Sequence, residues 1–446
     1  MPKMPNETLI EYKQRVIDTK SASFCAAKWY NATIWLGSGQ TTSCHHPLPH
    51  AIDAQEILFN PKAIHNTKEK KEQRRQMQAG ERPSGCEYCW KLEDAKASSD
   101  RIYKTIIYSD EDLDLAFKTN PEADIDLQTL EIAFDRTCQF ACSYCNPAFS
   151  TTWVKDIRRN GPYVDLVSDG RNHFTHPHDA SQLYQAHETN PYVEAFFKWW
   201  DTDLHRTLKE LRITGGEPLM SGHTWRLIDW FKENKGKSQT RLAINSNLAF
   251  EQDKLARLLN ATQGIELDLY TSNESWGRHA IYIRDGLDWE QWAGNVLYLL
   301  DSSKLRGLHV MCTINALCLF SLTELLAWIV DLKRKYGKDA INFTLNILRF
   351  PSFQSPLILP REFREEASSK LAYFVDSNSL HLHEFELEHV NRLITYLQEV
   401  DSPHSGAVSR EILQRDFKLF YQQCDQRRDK DFKYTFPQLA EWYDTL

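Results

Sequence analysis

Six short apolar runs, each followed by a segment of helical periodicity, constrain this chain more than any other feature of its sequence. The runs are Leu130–Phe134, Glu210–Thr214, Arg241–Asn245, Ile265–Tyr270, Gly307–Ile314 and Asn342–Ile347. The helical segments are Thr152–Arg159, Pro191–Thr207, Thr224–Asn234, Gln252–Ala261, Trp289–Leu300 and Leu322–Tyr336. Repeated strand-then-helix steps require parallel strands joined by right-handed crossovers. Such a sheet is open or curled into a partial barrel, and in either case ligands bind at the C-terminal strand ends. The expected organisation is a tail (1–19), a cysteine-containing domain (20–97), a connector (98–126), an α/β core (127–350) and a mainly helical C-terminal extension (351–446) without chemistry of its own. Residues 161–190 interrupt the core with an insertion rich in His, Asn, Asp and Pro.

The ten cysteines are clustered. Cys138, Cys142 and Cys145 form C-x3-C-x2-C where the first strand ends. Three thiolates on one short loop can hold three corners of a cubane iron–sulfur cluster and leave the fourth iron open. Zinc or three unrelated thiols is the simpler alternative, but no fourth Cys or His lies in this loop. At the end of the second strand stands Thr214-Gly215-Gly216-Glu217-Pro218. Its glycines allow close backbone approach to a ligand, and Glu217 can hold an ammonium group.

The triplet and the Gly215–Pro218 turn together resemble the radical S-adenosylmethionine (SAM) superfamily over residues 127–350. The resemblance implies a partial (β/α)6 barrel. It also implies a catalytic [4Fe–4S] cluster whose open iron binds SAM, and reductive cleavage of SAM to a 5′-deoxyadenosyl radical that abstracts hydrogen from a substrate. By the same resemblance Tyr144 packs the adenine, Ser272 and Glu274 touch the ribose and carboxylate, Arg284 pairs with the carboxylate, and Asn245 and Asn247 line the pocket. For each of these, a polar residue satisfying a strand-end loop is the alternative.

A second cysteine group precedes the core. Cys25, Gly39 and Cys44 are spaced C-x13-G-x4-C, and Cys86-Glu-Tyr-Cys89 follows. Four thiolates close a metal site completely. The layout resembles the twitch or SPASM auxiliary-cluster modules of radical SAM enzymes, which implies a second [4Fe–4S] cluster. Those modules usually follow the barrel; here the cysteines precede it, so the substrates of known members do not carry over. A zinc ribbon is the alternative, with His45, His46 and His50 as substitute ligands.

Other features read as structural. Cys312 and Cys318 read as small buried apolar residues, with a hydrogen-atom donor or substrate-binding thiol at the strand end as the alternative; Cys424 reads as a plain thiol, and Trp153, Trp199 and Trp200 as packing residues. His173, His176 and His178 belong to a surface loop. The charged run Thr67–Gln78 reads as a solvated helix face. Lys plus Arg is 53 and Asp plus Glu is 61, a net charge of −8, which disfavours nucleic acid as a partner. No apolar run is long enough to span a membrane and the N-terminus carries no apolar leader core, so a cytoplasmic location is expected, with a reducing electron-donor protein as partner. A peptide or protein is the first substrate expectation. A small metabolite or a nucleotide-derived molecule is the alternative, and a non-catalytic iron–sulfur or zinc protein for electron transfer or interaction is the reading from another class.

Overall fold

The computed structural model describes residues 3–4, 6–170, 172, 174–175, 183–184, 188–398 and 408–446. His173, His176 and His178 lie outside them. Among the described residues the strands are β1 (Asn31–Trp35), β2 (Gln40–Thr42), β3 (His50–Ala51), β4 (Thr129–Ala133), β5 (Ala141–Cys142), β6 (Glu210–Thr214), β7 (Arg241–Ser246), β8 (Leu267–Ser272), β9 (Arg284–Asp285), β10 (Gly307–Ile314) and β11 (Ile341–Ile347). The fold is α/β, and all six expected core strands form.

The chain divides into two compact units. The first comprises Met1–Asp135, Gln182–Gly215 and Glu233–Leu242. Its strands lie in the order β6-β4-β1-β2-β3. β4 pairs in parallel with β6 and with β1, and β1 turns back into β2 as an antiparallel hairpin. Gly39 makes that turn at φ +62, a left-handed conformation that favours glycine. A Cβ there would meet the Tyr192 ring at 2.6 Å. The hairpin returns the chain so that Cys44, after β2, comes back toward Cys25, before β1. Residues 98–126, read as a connector, contain the helices Asp100–Thr105 and Asp110–Lys118. Ile102, Leu113 and Ala116 join Phe24, Trp29 and Met77 in this unit's apolar core.

The second unit comprises Arg136–Ser181, Gly216–Lys232 and Ala243–Leu446. Its main strands follow the order β11-β10-β8-β7, with β8, β10 and β11 in parallel register. Helices Gln252–Ala261, Trp289–Ser302 and Leu322–Tyr336 make the crossovers. The last of these buries Leu322, Leu325, Leu326, Ile329 and Val330, a spacing that lays one apolar stripe along one helix face. Behind it, the fully buried pair Lys333–Glu386 closes at 2.9 Å, and Glu386 also accepts the Phe343 amide at 3.0 Å. That bond fastens helix Glu384–Gln398 to β11. Among the described residues no helix is long and apolar enough to cross a membrane.

Candidate active site and metal centres

The Cys138–Cys145 loop is built mainly by hydrogen bonds to its backbone, its sulfurs making only long contacts such as the Phe140 amide to Cys138 Sγ at 3.4 Å. Ser150 caps helix Thr151–Asn160 and donates its hydroxyl to the Phe140 carbonyl at 2.6 Å. The hydroxyl of Thr151 accepts the Cys138 amide at 3.1 Å. Trp153 donates its indole N–H to the Cys142 carbonyl at 2.9 Å. From far along the chain, Gln354 donates to the Ser143 carbonyl at 2.9 Å and Arg428 to the Ala141 carbonyl at 2.7 Å. The C-terminal extension therefore positions the cysteine loop, a role that its sequence did not announce. Burial pushes the Cys138 thiol up to about 12, and burial also raises Cys142 and Cys145. These are thiols that ionise when a metal centre takes the charge.

The close approach at the Gly-Gly turn is to the backbone that leads into this loop. A Cβ on Gly216 would lie 2.5 Å from the carbonyl oxygens of both Arg136 and Thr137, and one on Gly215 would lie 2.6 Å from that of Asp135. Gly216→Ala is therefore expected to cost about 1–3 kcal/mol in urea unfolding. Gly222→Ala, where nothing lies within 4 Å of the added Cβ, serves as control at within about 0.5 kcal/mol. An equal, small effect of both substitutions would contradict the packing argument.

Glu217 is 1% exposed. It accepts the Asn247 amide at 2.6 Å, the Leu219 amide at 3.0 Å and the Ser246 hydroxyl at 3.0 Å. Its amide donates to the Thr137 carbonyl at 2.7 Å, and Pro218 is buried beside it. Burial raises its pKa to about 7, against the pull of those three donors. The sign follows from proton count. Between about pH 4.5 and 7 the folded chain keeps a proton that the unfolded chain releases, so stability falls as pH rises through that window and is level above it. Metal-free wild type should lose about 3 kcal/mol relative to Glu217→Gln on going from pH 4.5 to 8. Parallel pH–stability curves for the two proteins would refute this.

Past β8, Glu274 and Arg284 form a buried ion pair at 2.8 Å, with side chains 0% and 5% exposed. Tyr144 donates its hydroxyl to the same carboxylate at 3.1 Å, and the guanidinium carbon stands 5.6 Å from the Tyr144 ring centroid. Arg284 Nη1 reaches to 3.8 Å from Cys142 Sγ. The short β5–β9 ladder pairs Cys142 with Arg284 directly. The structure thus gathers Tyr144, Glu274 and Arg284 against the second cysteine. Ser272 ends β8 in register with Met311 of β10.

Among the described residues, five buried polar atoms around these strand ends have no hydrogen-bond partner: Gln139 Oε1, Asn245 Oδ1, Asn247 Nδ2, Asn273 Nδ2 and Ser275 Oγ. Buried polar atoms are normally satisfied, so a cluster of open ones suits a polar ligand. They fit SAM, which offers ammonium, carboxylate, ribose hydroxyls and adenine. A cavity beside the cysteine loop is lined by Tyr144, Cys145, Phe149, Asp169, Phe174 and Phe350. Cys312 and Cys318 are fully buried, and Cys424 is buried against the Tyr163 hydroxyl.

In the first unit, Cys25, Cys44, Cys86 and Cys89 line one cavity, together with Lys28, His46 and Arg101. Burial pushes Cys25 up to about 12 and Cys89 up to about 11. The donor set suits a four-thiolate centre. His45 and His46 both reach Asp100 Oδ2, at 2.9 and 2.7 Å. These three residues are, among the described residues, the one set of three or more candidate ligands with atoms all within 4.8 Å of one another. The charged run at Thr67–Gln78 departs from its expected solvated face. Helix Lys68–Gln78 buries Lys70, Gln73, Arg74 and Met77, because polar residues at helical spacing face the protein here.

No model of a known protein family matches this sequence, and no curated protein matches it. Solved structures similar to the chain include SuiB of Streptococcus suis bound to the precursor peptide SuiA, 11% identical, with a TM-score of 0.37 over 79% of this chain and 70% of that one. SuiB bound to S-adenosylmethionine is 10% identical, with a TM-score of 0.36 over 77% and 68%. TYW1 with a lysine–pyruvate adduct bound is 14% identical, with a TM-score of 0.29 over 56% and 74%.

Proposed function

We propose that this chain is a radical SAM enzyme. The observation that carries the reading is the cysteine triplet on a loop anchored through its backbone by distant side chains, with Tyr144, Glu274 and Arg284 buried against Cys142 and unsatisfied polar atoms at the neighbouring strand ends. Cys138, Cys142 and Cys145 would hold a [4Fe–4S] cluster. Bound there, the cluster supplies the electron that cleaves SAM to methionine and a 5′-deoxyadenosyl radical. Arg284 would orient the SAM carboxylate, Glu217 its ammonium group, Tyr144 its adenine, and Asn245, Asn247 and Ser272 its polar edge. The aromatic-lined cavity beside Cys145 is the candidate place for the substrate, for which a peptide is the first assignment and a small metabolite or nucleotide derivative the second. A reducing partner protein would deliver the electron, in a compartment such as the cytoplasm that keeps these thiols free.

Cys25, Cys44, Cys86 and Cys89 would hold a second, auxiliary [4Fe–4S] cluster. The four cysteines line one cavity, and four thiolates are the full protein ligand set of such a cluster. The observation favouring zinc instead is His46, which lines the same cavity and is oriented by Asp100.

The test is anaerobic reconstitution followed by reduction with dithionite in the presence of SAM. The expected product is 5′-deoxyadenosine. Protein carrying its full iron and sulfide that neither binds nor cleaves SAM would hand the chain to the electron-transfer reading. One zinc per chain alongside about four irons would keep the SAM chemistry and make the N-terminal centre structural.

A further inference from the structure

The first unit buries three basic side chains with no carboxylate hydrogen-bonded to any of them, and one of the three, Lys28, stands at the wall of the four-cysteine cavity. Lys28 is 2% exposed, and Lys70 and Arg74 are 0% exposed. Lys28 donates to Gln73 Oε1 at 2.6 Å. Lys70 donates to Thr41 Oγ1 at 2.8 Å and meets His65 Nδ1 at 3.2 Å. Arg74 donates to the Lys28 carbonyl, to Asn66 Oδ1 and toward His65 Nε2. Every one of these partners is neutral. Each uncompensated ion in a dry interior is strongly unfavourable, and native chains pair such ions. Arg101, which lines the same cavity, shows the usual solution, since Glu93 and Asp18 balance it at 2.6 and 3.2 Å. Lys28 lines the cysteine cavity directly. It also stands on helix Ala27–Tyr30, which begins two residues after Cys25.

The missing negative charge is what a metal centre would bring. Four neutral thiols carry no charge. Four thiolates around a divalent metal, or around a [4Fe–4S] core of the same charge, leave a net charge of −2 in the cavity. A fixed cation at its wall favours that state over the empty one.

We propose that Lys28 is the built-in counter-charge of an anionic four-thiolate centre held by Cys25, Cys44, Cys86 and Cys89. The proposal rests on the four-cysteine reading above but not on whether iron or zinc is the resident metal. Lys28 acts as a positioning residue. It ligates nothing, and it makes the assembled centre cheaper to bury than the empty cavity.

The experiment uses the full chain with Cys138, Cys142 and Cys145 replaced by alanine, so that one thiolate site remains. Cobalt(II) is titrated anaerobically and followed by its thiolate charge-transfer absorption. Lys28→Met, which keeps the length and removes the charge, should weaken cobalt affinity at least about tenfold, and Lys28→Arg should stay near the parent. In the metal-free state Lys28→Met should be at least as stable to urea as the parent, because an unbalanced buried cation has been removed. A merely structural role would lower both stability and affinity, and in Lys28→Arg as well. Equal cobalt affinity in Lys28→Met and the parent overturns the proposal. If the parent itself gives no thiolate–cobalt band, the four-cysteine site is overturned, and the counter-charge goes with it. Where iron reconstitution succeeds, a second readout applies. Lys28→Met should shift the one-electron reduction equilibrium of the remaining cluster toward the oxidised form by a factor of ten, about 59 mV, with Lys28→Arg unmoved.

Discussion

Replacing Cys138, Cys142 and Cys145 together by alanine is expected to abolish SAM cleavage and to lower the iron content of reconstituted protein from about eight to about four per chain. The thiols contribute only long, weak contacts to the architecture of their loop, such as the Phe140 amide to Cys138 Sγ at 3.4 Å. Its shape comes from the Ser150 cap, the Thr151 hydroxyl, the Trp153 indole, and the Gln354 and Arg428 anchors, all of which bond to backbone atoms. Loss of three sulfurs should therefore leave the far-UV spectrum and the cooperative unfolding transition in place, with a cost of about 1 kcal/mol per buried Cys→Ala change. The iron count separates the two centres. About four irons remaining locates a second cluster at the other four cysteines. An unchanged iron count would mean that the triplet is not a cluster site, and the catalytic proposal would fail with it.

The second large effect lies at Arg284. Arg284→Met leaves the Glu274 carboxylate fully buried with Tyr144 as its remaining polar neighbour, and it breaks a pair closed at 2.8 Å. Removing one partner of such a pair costs about 3–5 kcal/mol, because the other charge stays behind in low dielectric. The double variant Glu274→Gln with Arg284→Met should recover most of that loss. SAM affinity gives the orthogonal readout. Under the proposed role it falls in both proteins, although their stabilities diverge. A double variant that regains stability and also binds SAM as wild type would remove Arg284 and Glu274 from the SAM site and leave them as a structural pair. A single variant within about 1 kcal/mol of wild type would contradict the cost of leaving a buried charge unpaired.

How much was legible depended on how local the signal was. Gly307–Ile314 and Glu210–Thr214 were read to the residue, because alternating or continuous apolar runs announce a strand whatever lies elsewhere. The strand at Asn31–Trp35 went unread. It is only five residues long and buries only Ala32 and Ile34, and it exists as a strand because β4 and β2 flank it. The buried face of helix Lys68–Gln78 was hidden for a related reason. Lys70, Gln73, Arg74 and Met77 have the spacing of a core stripe but mostly the residue types of a surface, and nothing in a linear reading distinguishes the two. The alanine-like silence of the C-terminal extension also misled, since Gln354, Tyr421 and Arg428 reach the cysteine loop from 211, 278 and 287 residues away.

The sequence by itself determined the α/β class, the positions of the six core strands, and two sets of cysteines spaced as ligands. Periodicity and covalent spacing are properties of neighbouring residues and survive without a fold. Only the tertiary structure decided that the Gly215–Gly216 backbone lies against the residues leading into the triplet, and that Glu274 is already paired with Arg284. Only the tertiary structure gathered Cys25, Cys44, Cys86 and Cys89 around one cavity and buried Lys28 with them. Those outcomes depend on which charges are withdrawn from water together. Burial and charge balance are set by segments far apart in the chain, so no window of sequence contains them.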